Sequence, residues 1–272
     1  MRLLVFGIQL WSVCLNAHAQ DIVPANDRSL ANSTVARPGV SSLFSNPAGL
    51  TAEKKFTFLL SAVNHFTLQE FNSEAIGLVI PLRQDHTAGI SFSHSGIPAM
   101  RRMQSGISYA VQLHPKISGG IRLNYRYSQV AGHPEYSTSL ISGDAGLLFE
   151  PVRNMQAGIK LINPERSAYR GDIAERAPSE ITFGISRKIN EQVWLGARAS
   201  KATDHATVAS LGIEYNLLSN LTIRFGESSC PWLTCLGFGY RFQRIHFDLS
   251  AELHQELGLT SACMLEFQLG SK

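Results

Sequence analysis

The sequence predicts an all-β protein, a closed antiparallel barrel of about fourteen strands that crosses a membrane with strands. Three observations carry this expectation. From residue 56 onward, stretches of alternating polarity recur between turns, and their charges fall almost wholly on one face. Beyond residue 19 no apolar run is long enough for a spanning helix.

The 272 residues carry a formal net charge of +3 with 44% hydrophobic and 17% charged residues, which suits one sizeable domain. No run of Lys or Arg occurs, so nucleic acid is not an expected partner. Residues 1–19 read as a secretory signal. Arg2 precedes an apolar stretch too short to span a bilayer, and Ala17-His18-Ala19 offers cleavage before Gln20. The rival lipoprotein reading through Cys14 lacks the usual residues ahead of that cysteine. Of the cysteines left, Cys230 and Cys235 in CPWLTC are spaced for a small loop disulfide in an oxidising compartment, and Cys263 reads as an apolar strand residue.

Residues 20–55 show no strand pattern, yet they follow the export signal and precede the wall. A barrel of this size has a lumen wider than its wall side chains fill, so these residues are the expected hatch. In Asn46-Pro47-Ala48-Gly49-Leu50, Pro fixes φ, Asn caps its own backbone and Gly supplies a conformation that other residues resist, which together predict a compact turn.

The barrel proper is expected over 56–272. Its strands are placed at 56–65, 74–82, 86–95, 102–113, 116–128, 138–150, 153–162, 179–188, 191–201, 205–216, 219–227, 234–243, 244–254 and 258–269. IHFDLSAELH shows the pattern best: Ile245, Phe247, Leu249, Ala251 and Leu253 share one face, and His246, Asp248, Ser250, Glu252 and His254 the other. Short turns are expected at PLRQDH, LHPKI, FEPVRN, RKINEQ, YNLLSN and FQRI. Longer connections are expected near 66–73, 95–101, 129–137, 163–178 and 227–233, with brief ones around 201–205 and 254–258.

A soluble sandwich also alternates, so the sign of the bias decides. The wet face carries Arg122, Arg126, Asp144, Lys160, Glu180, Arg198, Glu214, Arg224, Arg241, Asp248 and Glu252, together with many Gly and Ser. A Lys or Arg facing lipid at the bilayer midplane costs roughly 2–4 kcal/mol, so these charges are expected inside, either lining a passage or, the favoured reading, forming a salt-bridge network between wall and hatch. Trp194 falls on the same inner face, and Trp232 in CPWLTC is the candidate exposed contact for a partner. The histidines lack H-x-x-x-H spacing, so no metal or other cofactor is expected. His246 and Asp248 point the same way, but nothing places a nucleophile beside them, and no enzymatic activity is expected.

SLFSNPAGL, following RSLANSTVARPGVSS and preceding a strand, resembles the N-terminal signature of the FadL-like superfamily, and specifically the PorV/PorQ-like outer-membrane barrels of Bacteroidota. HQELGLTSACMLEF is similar to their closing hairpin. The resemblance implies a fourteen-stranded barrel with an N-terminal hatch. It implies service in type IX secretion or surface attachment, with secreted cargo or secretion-system proteins as partners; the alternative is FadL-like uptake of hydrophobic small molecules. Either role puts the chain among outer-membrane lipid with both termini periplasmic.

Overall fold

A computed structural model describes residues 22–170, 176–203 and 205–269. The expected signal segment and Cys14 lie outside them. Among the described residues, fourteen antiparallel strands follow one another around a closed barrel. They are β1 (Phe56–Asn64), β2 (Asn72–Arg83), β3 (His86–Ile97), β4 (Met100–His114), β5 (Ile117–Val130), β6 (His133–Val152) and β7 (Met155–Ile162), then β8 (Glu180–Lys188), β9 (Val193–Ala202), β10 (Val208–Leu218), β11 (Leu221–Ser229), β12 (Trp232–Phe242), β13 (Ile245–His254) and β14 (Gly258–Leu269). β1 closes on β14 with Phe56 opposite Leu269, so the wall begins and ends at the same rim. Closure leaves no free strand edge at the seam.

The alternation read from the sequence becomes the two sides of the wall. Along β13, Phe247 and Leu249 are 37% and 44% exposed, whereas Asp248 between them is 0% exposed. The outer surface is a continuous apolar band, with Ile107, Ile121, Ile141, Phe183, Leu211, Phe225 and Leu236 all exposed. A band of this extent is what a barrel presents to lipid, and no soluble monomer leaves so much apolar surface bare.

The height of the wall is uneven. β4, β5 and β6 have 15, 14 and 20 residues, whereas β7 and β8 have 8 and 9. Here the expected connections are corrected. Most of 95–101, 129–137 and 227–233 is strand, and the links shrink to residues 98–99, 131–132 and 230–231. The cross-strand ladder continues through these polar stretches, from Gly96 opposite Arg101 to Val130 opposite His133, because pairing satisfies every backbone group it takes in. The long connection is 163–179, between the two short strands β7 and β8.

Residues 22–52 lie within the ring of strands. They form one helical turn, Ala25–Arg28, and two short 3-10 turns, Val40–Leu43 and Pro47–Ala52. Leu30, Leu43, Ala48 and Leu50 are wholly buried. The backbone approaches the wall so closely that a Cβ on Gly120 would stand 2.5 Å from the Ala48 nitrogen, and one on Gly158 would stand 2.6 Å from the Val35 oxygen. The small inward residues are therefore contact positions for this segment.

Candidate functional site

The Asn46 turn anchors the N-terminal segment. Asn46 Oδ1 accepts the Ala48 N–H at 3.2 Å, with Pro47 in the first helical position, where its missing N–H costs nothing. Its Nδ2 donates to Val35 O of the same segment at 2.9 Å and to Leu147 O of β6 at 3.3 Å, so one side chain closes the turn and ties it to the wall. The role expected for Gly49 is corrected: its φ is not positive. It must be small because Ser42 and Pro38 press on it, with Pro38 Cα 3.1 Å from where a Cβ would be. The positive φ belongs to Gly39 instead, at 147°.

The inward charges form two clusters. In the first, Arg122 Nε and Nη2 donate to Asp144 Oδ2 at 2.9 and 2.6 Å, and its Nη1 donates to Leu43 O at 2.6 Å. Asn124 Nδ2 donates to the same carboxylate at 2.9 Å, and Gln104 Nε2 donates to Asn124 Oδ1 while its Oε1 accepts from Arg126. In the second, Arg37 of the N-terminal segment grips Glu214 with two hydrogen bonds of 2.9 Å, and Arg224 donates to both Glu214 and Asp248. Arg37 also lies over the Trp194 ring, 4.8 Å from its centre. Further round, Arg28 donates to Glu252 at 2.9 Å. A fork-shaped guanidinium fits a carboxylate through both oxygens, and in a lumen shielded from water such pairs are worth more than on a surface.

Of the remaining inward charges named from the sequence, Lys160 is buried, and Glu180 and Arg198 are partly covered. Arg241 instead is exposed at the end of β12, where the wall runs out. Trp232 is 49% exposed at the start of β12. The expected bridge between Cys230 and Cys235 is not formed, because Cys235 is a free buried thiol whose Sγ lies 3.9 Å from Glu252 Oε2 inside the lumen. It continues the inward row of β12, five residues of chain from the rim, so spacing in sequence did not translate into proximity. His246 has Nε2 3.6 Å from Asp248 and Nδ1 3.7 Å from Glu266, so both ring nitrogens face carboxylates and neither is turned to a nucleophile.

At the rim where the low wall meets the long connection lies an open cavity of about 320 Å³, lined by residues of both the inward and the outward row. Leu161, Ile162, Pro164, Ile181 and Ala202 supply its apolar lining, and Ser179, Glu180, Lys201 and Thr203 its polar groups. Leu161 and Ile181 pair across β7 and β8 on the outward row, so the cavity communicates with the lipid-facing surface. The neighbouring stretch of β6 stands higher and is partly paired by the connection itself: Ser139 and Arg170 exchange backbone bonds of 2.9 and 2.7 Å. This site left no mark in the sequence reading, since it arises from the unequal lengths of strands that all alternate alike.

No family model matches the sequence, and no relative emerges among curated proteins. Solved structures do match. The toluene transporter TodX of P. putida is 13% identical, with a TM-score of 0.73 over 92% of this chain and 99% of that one. The Ralstonia pickettii toluene transporter TbuX is 12% identical, with a TM-score of 0.70 over 93% and 100%. A Pseudomonas aeruginosa FadL homologue is 12% identical, with a TM-score of 0.67 over 92% and 100%. At such identities the likeness is one of fold: these transporters and this chain share the closed, strand-walled barrel.

Proposed function

We propose that the protein is an outer-membrane conduit for hydrophobic small molecules, with residues 22–52 acting as the hatch and both termini on the periplasmic side. The observation that carries the reading is the apolar cavity beside Leu161 and Ile181, in a barrel whose fold matches hydrocarbon transporters along nearly its whole length. The β10–β13 side of the lumen is lined by ions and hydroxyls, and on the β1–β4 side the apolar wall is already covered by Val40, Leu43, Phe44 and Leu50, so an apolar solute finds no free apolar surface there. An open site with a mostly apolar lining suits a small aromatic or aliphatic compound that binds before moving on. The secretion-partner role implied by the resemblance at residues 41–50 gives way to this alternative, because the fold likeness spans far more of the chain and the matched structures are transporters and channels.

The test is binding of toluene to the purified barrel in detergent, followed by calorimetry, together with uptake into proteoliposomes. Ile181→Trp fills the cavity from the outward row and is expected to abolish binding and uptake while leaving the barrel folded. Unchanged uptake by that variant removes the cavity from the route, and absence of any binding by the native chain removes the proposal.

A further inference from the structure

The rim at which the wall begins and ends carries a collar of exposed cations. Lys55 precedes β1, Arg83 ends β2, Lys116 lies in the β4–β5 turn, Arg153 in the β6–β7 turn, Arg187 near the end of β8 and Arg244 in the β12–β13 turn. Widely separated along the chain, they are gathered into a ring by the barrel. Among the described residues, the exposed carboxylates at this rim are Asp85 and Glu191, and Glu191 is already paired with Lys188 at 2.6 Å. The opposite rim also carries cations, Arg101, Arg102, Arg166, Arg170, Arg176 and Lys201, but it mixes signs, with Glu70, Glu74, Glu165 and Glu256 exposed among them.

The apolar neighbours of these cations indicate what the collar faces. Leu82 beside Arg83 is 55% exposed, Val152 beside Arg153 is 61%, and Leu113 near Lys116 is 64%. Arg187 pairs with Leu195 and Met155 on the outward row, so it flanks the apolar band. An aliphatic side chain bare to its surroundings next to a cation marks the boundary between acyl chains and headgroups, where a Lys or Arg stem stays in the oily layer and its charge reaches up.

We propose that this collar docks the phosphate headgroups of an anionic glycerophospholipid leaflet. The inference rests on the barrel spanning a membrane and is independent of what passes through it. A soluble acidic protein would be met by the cations alone. Lipid satisfies both the cations and the exposed aliphatic residues of the same turns, and the apolar band continues without a break into the collar.

Native mass spectrometry of the barrel released from micelles doped with phosphatidylglycerol and phosphatidylcholine reads the retained lipids. Phosphatidylglycerol is expected to be retained preferentially at low salt, by about fivefold per engaged cation, which corresponds to about 1 kcal/mol. The preference should fade toward ~1 M salt, where screening is nearly complete. Replacing Lys55, Arg83, Lys116, Arg153, Arg187 and Arg244 by Gln abolishes it, and exchanging the four arginines for Lys preserves it. Heat-modifiable migration on a gel shows that each variant is folded, and the pair Arg83→Gln and Lys116→Gln gives a partial loss if the full set is not. Equal retention of the two lipids by the native chain, or an undiminished preference in the glutamine variants, overturns the proposal. Failure to enter phosphatidylcholine vesicles at all would overturn the membrane reading and the collar with it.

Discussion

On the β1–β4 side of the lumen, Val40, Leu43, Phe44 and Leu50 of the N-terminal segment join Leu59, Val63, Val79 and Ala110 of the wall in one apolar cluster. On the β10–β13 side, the same segment is held by Arg37 on Glu214 and Arg28 on Glu252. The first grip is non-directional, depends on filled volume and is indifferent to salt. The second is directional, loses strength as charges are screened or a partner is removed, and leaves a buried carboxylate uncompensated when it opens.

The largest effect is expected from Gly120→Leu, where the Pro47–Ala48 peptide stands 2.5 Å from the new Cβ. The segment cannot stay seated, and planar-bilayer recordings should show a conducting lumen where the native chain is closed. A closed Gly120→Leu variant would mean that the segment is not what fills the barrel. Next, Leu43→Ala removes a wholly buried side chain from the apolar grip. It should cost about 2–5 kcal/mol in denaturant unfolding of the detergent-solubilised barrel, with no dependence on salt.

Arg37→Ala should act on the opposite side and more weakly, by about 1.5–3 kcal/mol for hydrogen bonds to a charged group, because Glu214 keeps Arg224. Arg37→Lys should recover only part of this, since an ammonium cannot grip both carboxylate oxygens. If Leu43→Ala and Arg37→Ala respond alike to salt, the contrast between the two grips is lost.

The smallest effect concerns Glu53, where the segment passes into β1. Burial, reinforced by the nearby Glu266 carboxylate, raises its pKa from 4.5 to about 7. The folded chain then holds a proton that the unfolded chain has released, so this contribution to stability is full below pH 4.5 and is lost as pH rises through 7. Melting temperature should decline over that window, and Glu53→Gln should flatten the decline. An identical profile in the variant would show that this carboxyl does not titrate there.

Much of the wall was legible because strand physics is local. Leu221, Ile223 and Phe225 alternate with Thr222 and Arg224 in the sequence, and the wall sorts them to lipid and lumen as the period of two requires. The turn at Asn46 was legible for the same reason, since Asn and Pro act within a few residues of themselves, whereas the need for Gly49 comes from contact with Ser42 and Pro38. What failed was every reading that took distance along the chain for distance in space. Cys230 and Cys235 looked like a bridge, and the stretch around Arg101 looked like a loop. Extension along a strand separates the first pair, and pairing with neighbours absorbs the second. The cavity at Leu161 and the collar from Lys55 to Arg244 had no local signature at all.

By itself the sequence determined the number of strands, which side of each faces oil, and that the charges turn inward, because these follow from a repeat of two residues and the cost of exposing ions to lipid. Tertiary structure alone decided which carboxylate each arginine holds, how the N-terminal segment is gripped, where the wall is low and which cations share a rim. Those depend on register and strand length around a closed ring, and closure brings together residues that the chain keeps far apart.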